Sequence, residues 1–213
     1  MISVILLMAG NGSRMKMNEN KVFLPLNEKM IYEYSLALFL KYKLDVICVI
    51  RPEDIPYLKK YDGKVSYVFG GKTRQESVYN GLLAAKGEQV LIHDAARPFL
   101  TAELLDKCLS SFKEKHACLV VKPCKDTVYE KPSLKALNRE QLFLAQTPQG
   151  GNRNELLDCH QKALKEQFIA TDDISLILKY GHSLVEIIEG SDQNFKITTQ
   201  LDYVIAKEWS KHV

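Results

Sequence analysis

The stretch that decides the fold is ISVILLMAGNGSRM, residues 2–15. Apart from Ser3, residues 2–8 are apolar, and no basic residues precede them as they would in a signal peptide. The apolar run is also far shorter than the roughly 18 residues that span a bilayer. We therefore interpret it as a buried strand that ends in a glycine-rich turn.

Outward from this strand, β-branched runs alternate with amphipathic stretches. Strands are predicted at 2–8, 45–50, 65–69, 89–92, 117–121 and 183–188, and helices at 30–42, 73–85, 101–115, 152–167, 172–180 and 200–211. Because the first five strands are apolar on both faces, the pattern predicts an α/β fold with a Rossmann-like, mainly parallel sheet and helices on both faces. Thr73 with Glu76, and Thr199 with Asp202, have capping-box spacing at a helix start.

The alternation breaks over residues 122–147, a segment bracketed and interrupted by Pro123, Pro132 and Pro148. Short extended pieces are predicted within it at 127–129 and 142–145. A structureless loop of this length is unusual in a compact domain. We predict a protruding β-arm that packs on a second subunit, so that residues 1–213 form a single domain with a dimerisation arm at 122–147.

Composition and charge exclude several classes of protein. Of the 213 residues, 46% are hydrophobic and 26% charged, as is typical of globular domains. A net charge of +3, with no run of five like charges, provides no basic stripe for nucleic acid. The five cysteines are odd in number and contain no CxxC pair, which argues against a zinc site or a disulfide framework. We expect a cytoplasmic protein with neither nucleic-acid nor membrane partners.

The glycine-rich turn after the first strand is a candidate phosphate-binding loop. Gly10 and Gly12 allow the backbone N–H groups to approach phosphate oxygens. Arg14 and Lys21 supply positive charge close by. The turn also follows the carboxyl end of a strand, where ligands bind in open α/β sheets. An ordinary tight turn is the alternative interpretation of two such glycines.

Two other phosphate-binding motifs fit this sequence poorly. Met15 occupies the place of the third glycine of the dinucleotide fingerprint, and Arg51 stands where an acidic residue would end the second strand. The pattern GxxxxGK[ST] is absent as well. These observations disfavour an NAD-dependent oxidoreductase and a P-loop kinase or ATPase.

A second glycine pair, Gly70 and Gly71, opens the segment GGKTRQESV at residues 70–78. Glycines between a strand and a capped helix allow a flat base or a ribose to approach closely, and Ser77 lies one helical turn further on. The alternative is an ordinary turn in which Arg74 is solvated.

The segment HDAARP, residues 93–98, follows the fourth predicted strand. A sugar hydroxyl is expected at Asp94 and a phosphate at Arg97, and Asp94 is also a candidate to hold a magnesium-bound water. The alternatives are a local ion pair between Asp94 and Arg97, and a His93 that is a satisfied buried histidine.

Four further candidates lie in the second half of the chain. Thr127 and Arg139 belong to the predicted arm, and Thr171 is most simply explained as a helix cap followed by acidic residues. Lys196 lies between two apolar residues, an arrangement typical of a solvated charge at a strand edge.

Taken in order, the segments AGNGSRM, KVFLPL, GGKTRQESV, HDAARPF, KDT, NREQL, QTPQ, TDD and NFKIT resemble the 4-diphosphocytidyl-2-C-methyl-D-erythritol synthase family. The matches extend from residue 9 to residue 202, and the combination of GGxxRQxSV with HDAARP is specific to it. The resemblance implies a nucleotide-diphospho-sugar transferase type of fold. It also implies transfer of CMP from CTP to 2-C-methyl-D-erythritol 4-phosphate, with Mg²⁺ held mainly by the CTP phosphates and a homodimer formed through the arm.

The resemblance also assigns roles to residues at matching positions. The catalytic residues would be Arg14, Lys21 and Lys196. CTP would be bound by Met8, Ala9, Gly10, Gly12, Gly71, Lys72, Ser77 and Ala95. The polyol phosphate would be bound by Asp94, Arg97 and Thr171, together with Thr127 and Arg139 from the arm of the neighbouring subunit.

Four residues, at three places in the chain, depart from the family pattern. Met8 stands where alanine is usual and is expected to narrow the base pocket, while Gly150 and Gly151 follow QTPQ and are expected to loosen the base of the arm. Lys72 replaces an acidic or small residue near the ribose.

Two rival functions stay open from the sequence. One is a cytidylyltransferase for D-ribitol 5-phosphate, because a missing methyl group changes affinity by only about 1 to 3 kcal/mol. The other is a non-catalytic nucleotide-binding domain, which would be expected to have lost Arg14, Lys21 or Lys196.

Overall fold

A seven-stranded sheet forms the centre of the computed structural model, which describes residues 1–10 and 20–212. The strands are β1 (Ile2–Leu7), β2 (Pro25–Leu26), β3 (Lys29–Met30), β4 (Asp45–Ile50), β5 (Ser66–Phe69), β6 (Gln89–Asp94), β7 (Ala117–Pro123), β8 (Val128–Tyr129), β9 (Ala136–Leu137), β10 (Phe143–Asn152) and β11 (Val185–Glu189). The α-helices are α1 (Ile31–Lys41), α2 (Ile55–Leu58), α3 (Arg74–Ala84), α4 (Ala102–Ser111), α5 (Arg153–Lys165), α6 (Ile174–Tyr180) and α7 (Gln200–Trp209).

The strand order in the large sheet is β11-β7-β10-β6-β1-β4-β5. The pairs β1–β4, β1–β6, β4–β5 and β7–β11 are parallel, whereas β10 is antiparallel to both of its neighbours, β6 and β7. Six strands therefore point the same way. The carboxyl ends of β1, β4 and β6 meet at one edge, and this brings together the turns that follow them.

Alternation along the strands separates two apolar layers. From β1, Val4 and Leu6 pack into a core with α1 and α4, while Ile5 packs on the opposite face with α3, α5 and α6. A third, smaller core joins the β2–β3 hairpin to α7. Helices on both faces of a mainly parallel sheet confirm the predicted fold class.

The predicted capping box is complete at Thr199, whereas at Thr73 only the hydroxyl cap forms and the Glu76 carboxylate accepts from the Lys72 N–H instead. The hydroxyl oxygens of Thr73 and Thr199 accept hydrogen bonds from the backbone N–H groups of Glu76 and Asp202 at 3.1 and 3.2 Å. The prediction that Thr171 caps a helix is wrong. The helix begins later, at Ile174, and the Asp172 carboxylate accepts from the Ser175 N–H at 2.9 Å.

The largest difference from the predicted elements concerns β10. The predicted extended piece at 142–145 belongs to a ten-residue strand that continues through Pro148, Gly150 and Gly151 into the middle of the sheet. The register with β7 shifts between Ala145 and Gln149. This irregularity accommodates a proline, which has no N–H for the ladder.

The glycine pair after Pro148 lies buried in the sheet and does not loosen the base of the arm. A Cβ at Gly150 would lie 2.1 Å from the Val90 carbonyl oxygen, and one at Gly151 would lie 3.2 Å from the Cβ of Ala117. Gly150 excludes a larger side chain because β6 approaches it closely, whereas a Cβ at Gly151 would crowd Ala117 and Ile177.

The segment between β7 and β10 carries the short β8–β9 hairpin, in which Val128 pairs with Leu137 and Tyr129 with Ala136. Its apolar side chains are open to solvent in the single chain, with Tyr129 59% and Leu134 75% exposed.

All five cysteines are free and buried. No helix in the described part of the chain combines the length and apolarity needed to cross a membrane.

Candidate active site

A cleft of about 400 Å³ opens at the carboxyl ends of β1 and β6. It is lined by Leu7, Met8, Ala9, Gly10, Asn20, Lys21, Val22, Gly71, Lys72, Thr73, Arg74, Ser77, Asp94, Ala96 and Lys196. Segments that are far apart in sequence therefore meet at one place, as expected for strand ends in an open α/β sheet.

One group of residues, here called the charged wall, consists of Asp94, Arg74 and Lys196, which line the cleft, and the buried Asp173, which pairs with Arg74. The Lys196 Nζ donates to Asp94 Oδ2 at 2.7 Å, and Arg74 Nε lies 3.6 Å from Asp94 Oδ1. Burial alone would raise the pKa of Asp94, but Lys196 and Arg74 outweigh it and hold the pKa well below its usual range. Asp94 is therefore ionised at neutral pH, and Lys196 is not the solvated strand-edge charge of the alternative interpretation.

Arg74 is not the solvated side chain of the alternative interpretation. Its guanidinium donates two hydrogen bonds to the Asp173 carboxylate, at 3.0 and 2.7 Å. Burial opposes the charge, yet Asp173 and Asp94 raise the pKa of Arg74 above its ordinary value. The available signal was the coexistence of one arginine in GGKTRQESV and two aspartates in TDD, both placed at helix starts.

Behind the charged wall lies His93, which is fully buried. Its Nε2 is 3.1 Å from the Arg97 carbonyl oxygen, so that nitrogen carries the proton, and its Nδ1 is 3.1 Å from Thr147 Oγ1. Burial lowers the pKa of His93 to about 4. His93 is thus a neutral histidine with both nitrogens satisfied, in agreement with the simpler of its two interpretations.

Arg97 and Ala95 lie beside the cleft without lining it. The Arg97 Nη1 donates to the Asn194 carbonyl oxygen at 2.7 Å, and burial lowers the pKa of Arg97. The Ala95 N–H donates to the Leu7 carbonyl oxygen at 3.1 Å. Ala95 is fully buried, although its sequence neighbours Asp94 and Ala96 both line the cleft. Arg97 therefore holds the backbone segment that carries Lys196, which follows Asn194 by two residues.

A second group of residues, here called the glycine wall, consists of the lining residues Met8, Ala9, Gly71 and Ser77 together with Gly70, which packs against Ala9 and Ser77. A Cβ at Gly70 would lie 2.6 Å from the Cβ of Ala9, so only glycine fits between β1 and α3. Ser77 Oγ donates to the Thr73 carbonyl oxygen at 2.8 Å and accepts from the Gly71 N–H at 3.1 Å. Met8 is fully buried beneath this surface.

Lys72 extends the glycine wall toward solvent. Its backbone N–H donates to Glu76 Oε2 at 2.7 Å, and the residue is exposed at the mouth of the cleft. A cation therefore stands at this position, where the family pattern usually has an acidic or small residue.

The phosphate-binding loop is described only at its two ends. Gly10 and Lys21 both line the cleft. Gly12 and Arg14 lie outside the described residues.

The cleft of one chain does not include Thr127, Arg139 or Thr171. Thr127 and Arg139 are exposed in the segment between β7 and β10, where Arg139 Nη1 donates to the Lys125 carbonyl oxygen at 2.9 Å. Thr171 is exposed two residues before Asp173 of the charged wall.

The described lining has four cationic side chains, Lys21, Lys72, Arg74 and Lys196, and one carboxylate, Asp94. Such a lining attracts a polyanion such as a triphosphate. The glycine wall offers backbone groups at close range to a flat ring. The arrangement is therefore suited to phosphoryl-group chemistry on a nucleotide.

Comparison with known proteins agrees with this geometry. The family model for 2-C-methyl-D-erythritol 4-phosphate cytidylyltransferase matches residues 2–211. A relative of that name from Aquifex aeolicus is 41% identical over 98% of this chain and 97% of its own, and one from Bacillus cereus is 38% identical over the same shares. The crystal structure of 4-diphosphocytidyl-2C-methyl-D-erythritol synthase from Anaerococcus prevotii superposes with a TM-score of 0.86 at 30% identity, covering 99% of this chain and 98% of that one. The chain therefore belongs to the 2-C-methyl-D-erythritol 4-phosphate cytidylyltransferase family.

Proposed function

We propose that this chain transfers CMP from CTP to 2-C-methyl-D-erythritol 4-phosphate, giving 4-diphosphocytidyl-2-C-methyl-D-erythritol and pyrophosphate. The observation that carries the proposal is the convergence of Lys21, Arg74 and Lys196 on one cleft that also has a glycine wall. The product is an intermediate of non-mevalonate isoprenoid precursor biosynthesis.

The reaction needs alignment and charge neutralisation more than it needs a base. A phosphate monoester has a second pKa of about 6, so the incoming phosphate is already a nucleophile at neutral pH. Its oxygen forms a bond to the α-phosphorus of CTP while the bond from that phosphorus to the bridging oxygen breaks, and pyrophosphate leaves. The protein contributes most by holding the two reactants in line and stabilising the negative charge that develops.

Catalysis is assigned to Arg14, Lys21 and Lys196. Lys21 and Arg14 would contact the CTP phosphates and stabilise the pentacovalent transition state and the leaving pyrophosphate. Lys196 would contact both the α-phosphate and the incoming phosphate. Its 2.7 Å hydrogen bond to Asp94 supports this role. One N–H of the ammonium group is held by the carboxylate, so the remaining N–H groups point in a defined direction.

The nucleotide is assigned to the glycine wall and its neighbours. Cytosine would lie against Met8, Ala9, Gly71 and Ser77, with Gly10 and Gly12 at the phosphates. Lys72 and Ala95 would lie near the ribose, and at position 72 a lysine can donate a hydrogen bond to a ribose hydroxyl but cannot accept one.

The polyol phosphate is assigned to Asp94, Arg97 and Thr171, with Thr127 and Arg139 from a partner chain. The ionised carboxylate of Asp94 is a strong acceptor for sugar hydroxyls.

Mg²⁺ fits this donor set as an ion held mainly by the CTP phosphates. The charged wall offers the carboxylate of Asp94, and no cluster of three His, Cys, Asp or Glu ligands occurs within residues 1–10 and 20–212. Mg²⁺ commonly binds through one or two carboxylates plus substrate phosphates, and when bound it neutralises phosphate charge.

A homodimer formed through residues 122–147 completes the proposed site. The exposed Tyr129, Leu134 and Phe143 of this segment are apolar side chains that a second subunit would cover. A cytoplasmic location is also proposed, supported by five cysteines that are all free thiols.

The deciding experiment measures pyrophosphate release with Mg²⁺ and CTP, offering methylerythritol 4-phosphate and ribitol 5-phosphate in parallel. We expect release with methylerythritol phosphate alone, and its loss in Lys21→Ala. Release with ribitol phosphate alone would identify that compound as the acceptor. No release with either compound would support a non-catalytic domain.

The dimer is tested separately by sedimentation. We expect a dimer at micromolar concentration and a monomer after Tyr129→Asp, since a carboxylate would be buried in the interface. A monomeric parent protein would contradict the arm's proposed role.

A further inference from the structure

Arg51, the residue that follows β4, makes contacts that play no part in the proposed chemistry. It holds the carboxylate of Asp54 through three hydrogen bonds: from its backbone N–H at 3.2 Å, from Nε at 2.9 Å and from Nη2 at 2.7 Å. Asp54 is 1% exposed. A buried carboxylate fixed from three directions is a rigid point in the fold, because each bond restricts a different motion.

Asn20 connects this rigid point to the end of β1. Its Nδ2 donates to the Met8 carbonyl oxygen at 2.6 Å and to Asp54 Oδ2 at 3.3 Å. Its Oδ1 accepts from the Val22 N–H at 3.4 Å and so caps the single 3₁₀ turn Lys21–Phe23. Asn20 is itself buried, at 2% exposure.

The far end of the same turn is held by aromatic contacts. The Phe23 ring stacks on Tyr57 with centroids 4.1 Å apart and meets the edge of Tyr32 at 5.3 Å. Tyr32 Oη donates to the Tyr57 carbonyl oxygen at 2.9 Å. Offset and edge-to-face ring pairs of this kind restrain both position and orientation.

We propose that Asn20 and Asp54 are positioning residues that place the backbone of Lys21, and therefore its amino group, relative to the Met8 end of the nucleotide site. The proposal rests on the catalytic role assigned to Lys21 above. Lys21 lies between the two anchors, with Asn20 directly before it and Phe23 two residues after it.

The physical reason is the length and freedom of the lysine side chain. Its ammonium group can act at a defined point only when the Cα is fixed, since four rotatable bonds already separate the two. A catalytic group misplaced by 1 Å can lose about 100-fold in rate. Loss of the Asn20 amide would free the start of the turn while leaving Lys21 itself unchanged.

The test compares Asn20→Ala with Asn27→Ala. Asn27 is the matched control because its Nδ2 also donates two hydrogen bonds, to Ser210 Oγ at 2.6 Å and to the Lys207 carbonyl oxygen at 3.3 Å, outside the residues that line the cleft. We expect Asn20→Ala to lower kcat by about 10- to 100-fold with KM for the polyol phosphate within about twofold. Asn27→Ala should lower Tm and leave kcat unchanged.

A double-mutant cycle separates positioning from general stability. In a Lys21→Ala background, measured at enzyme concentrations close to that of the substrate, Asn20→Ala should lower kcat by less than about twofold, because the group that it positions is gone. Equal losses in both backgrounds would overturn the proposal, and so would a parent-like kcat in Asn20→Ala.

Two further variants keep the test decisive. If Asn20→Ala does not fold, Asn20→Ser carries the test, since its hydroxyl can still cap the turn but does not replace both donated bonds. Asp54→Asn should reduce kcat in the same direction, and a parent-like kcat there would remove Asp54 from the proposal. A Lys21→Ala enzyme with parent kcat would instead contradict the proposed function.

Discussion

The charged wall and the glycine wall belong to one cleft but are built in opposite ways. The charged wall relies on long side chains held by ion pairs, with Lys196 and Arg74 both directed to Asp94. The glycine wall relies on the absence of side chains, since a Cβ at Gly70 would meet Ala9 at 2.6 Å. The first wall should thus be sensitive to changes of charge, and the second to changes of volume.

This difference assigns separate parts of the reaction to the two walls. Residues that interact with the charge developing in the transition state are expected to change kcat when mutated. Residues that only contact the base, which does not react, are expected to change KM. Mutations on each wall therefore test whether the division is real.

The largest effect is expected for Lys196→Ala. It removes the cation opposite Asp94 and should lower kcat by about 1,000-fold, equivalent to about 4 kcal/mol. Lys107→Ala is the control, because Lys107 forms a similar lysine–carboxylate pair with Glu103 at 2.8 Å on the exposed surface of α4. Steady-state pyrophosphate release measures both, and a similar kcat for the two variants would contradict a catalytic charged wall.

Acid should destabilise the fold through His93, which is buried behind the charged wall. The unfolded chain binds a proton with a pKa of about 6.5, whereas the folded pKa is about 4, so between these pH values the unfolded state holds more protons. The contribution of His93 to the free energy of unfolding is fully present above pH 6.5. It decreases by about 3 kcal/mol as the pH falls toward 4.

Denaturant unfolding at several pH values measures this loss. His93→Gln removes the titrating group, and its unfolding free energy should change less than the parent's between pH 6.5 and 4. Parallel curves for the two proteins would show that His93 does not titrate in this range.

A smaller loss is expected for Arg74→Lys. The ammonium retains the charge but cannot reproduce the two hydrogen bonds to Asp173, at 3.0 and 2.7 Å. We expect kcat to fall about 30-fold, or about 2 kcal/mol, and the melting temperature to fall as well, because the buried Asp173 loses its bidentate partner. An unchanged kcat would mean that charge alone suffices at this position and that the geometry of the wall is unimportant.

The smallest effect is expected on the glycine wall. Gly70→Ala should displace Ala9 and raise KM for CTP about tenfold, or about 1.4 kcal/mol, with little change in kcat. Gly151→Ala is the control, since its Cβ would crowd Ala117 and Ile177 far from the cleft and should lower stability alone. A fall in kcat without a change in KM would contradict the division between the walls.

The sequence predicted the fold well where local patterns and tertiary structure agree. The strand predicted at 45–50 matches β4, and the helix predicted at 73–85 matches α3 to within one residue at each end. It failed at β10, because Pro148 and two glycines are local signals of a turn. Only the close approach of neighbouring strands, as at Val90, makes glycine favourable there.

The sequence predicted the charged wall in part. Asp94 and Lys196 both came from motifs of the family resemblance, but their hydrogen bond joins positions 102 residues apart and no local pattern encodes it. Arg74 was missed for the same reason, since its carboxylate partner lies 99 residues further along the chain. Asn20 had no signal, because a single asparagine before a lysine is an ordinary turn residue.

The burial of all five cysteines has a practical consequence for studying the arm. A maleimide reacts with exposed thiolates, and burial raises the pKa of Cys48 to about 12, which keeps that thiol protonated. A cysteine introduced at an exposed position such as Lys131→Cys would therefore react first. Fluorescent labelling of the arm can begin from the natural sequence, without first replacing its own cysteines.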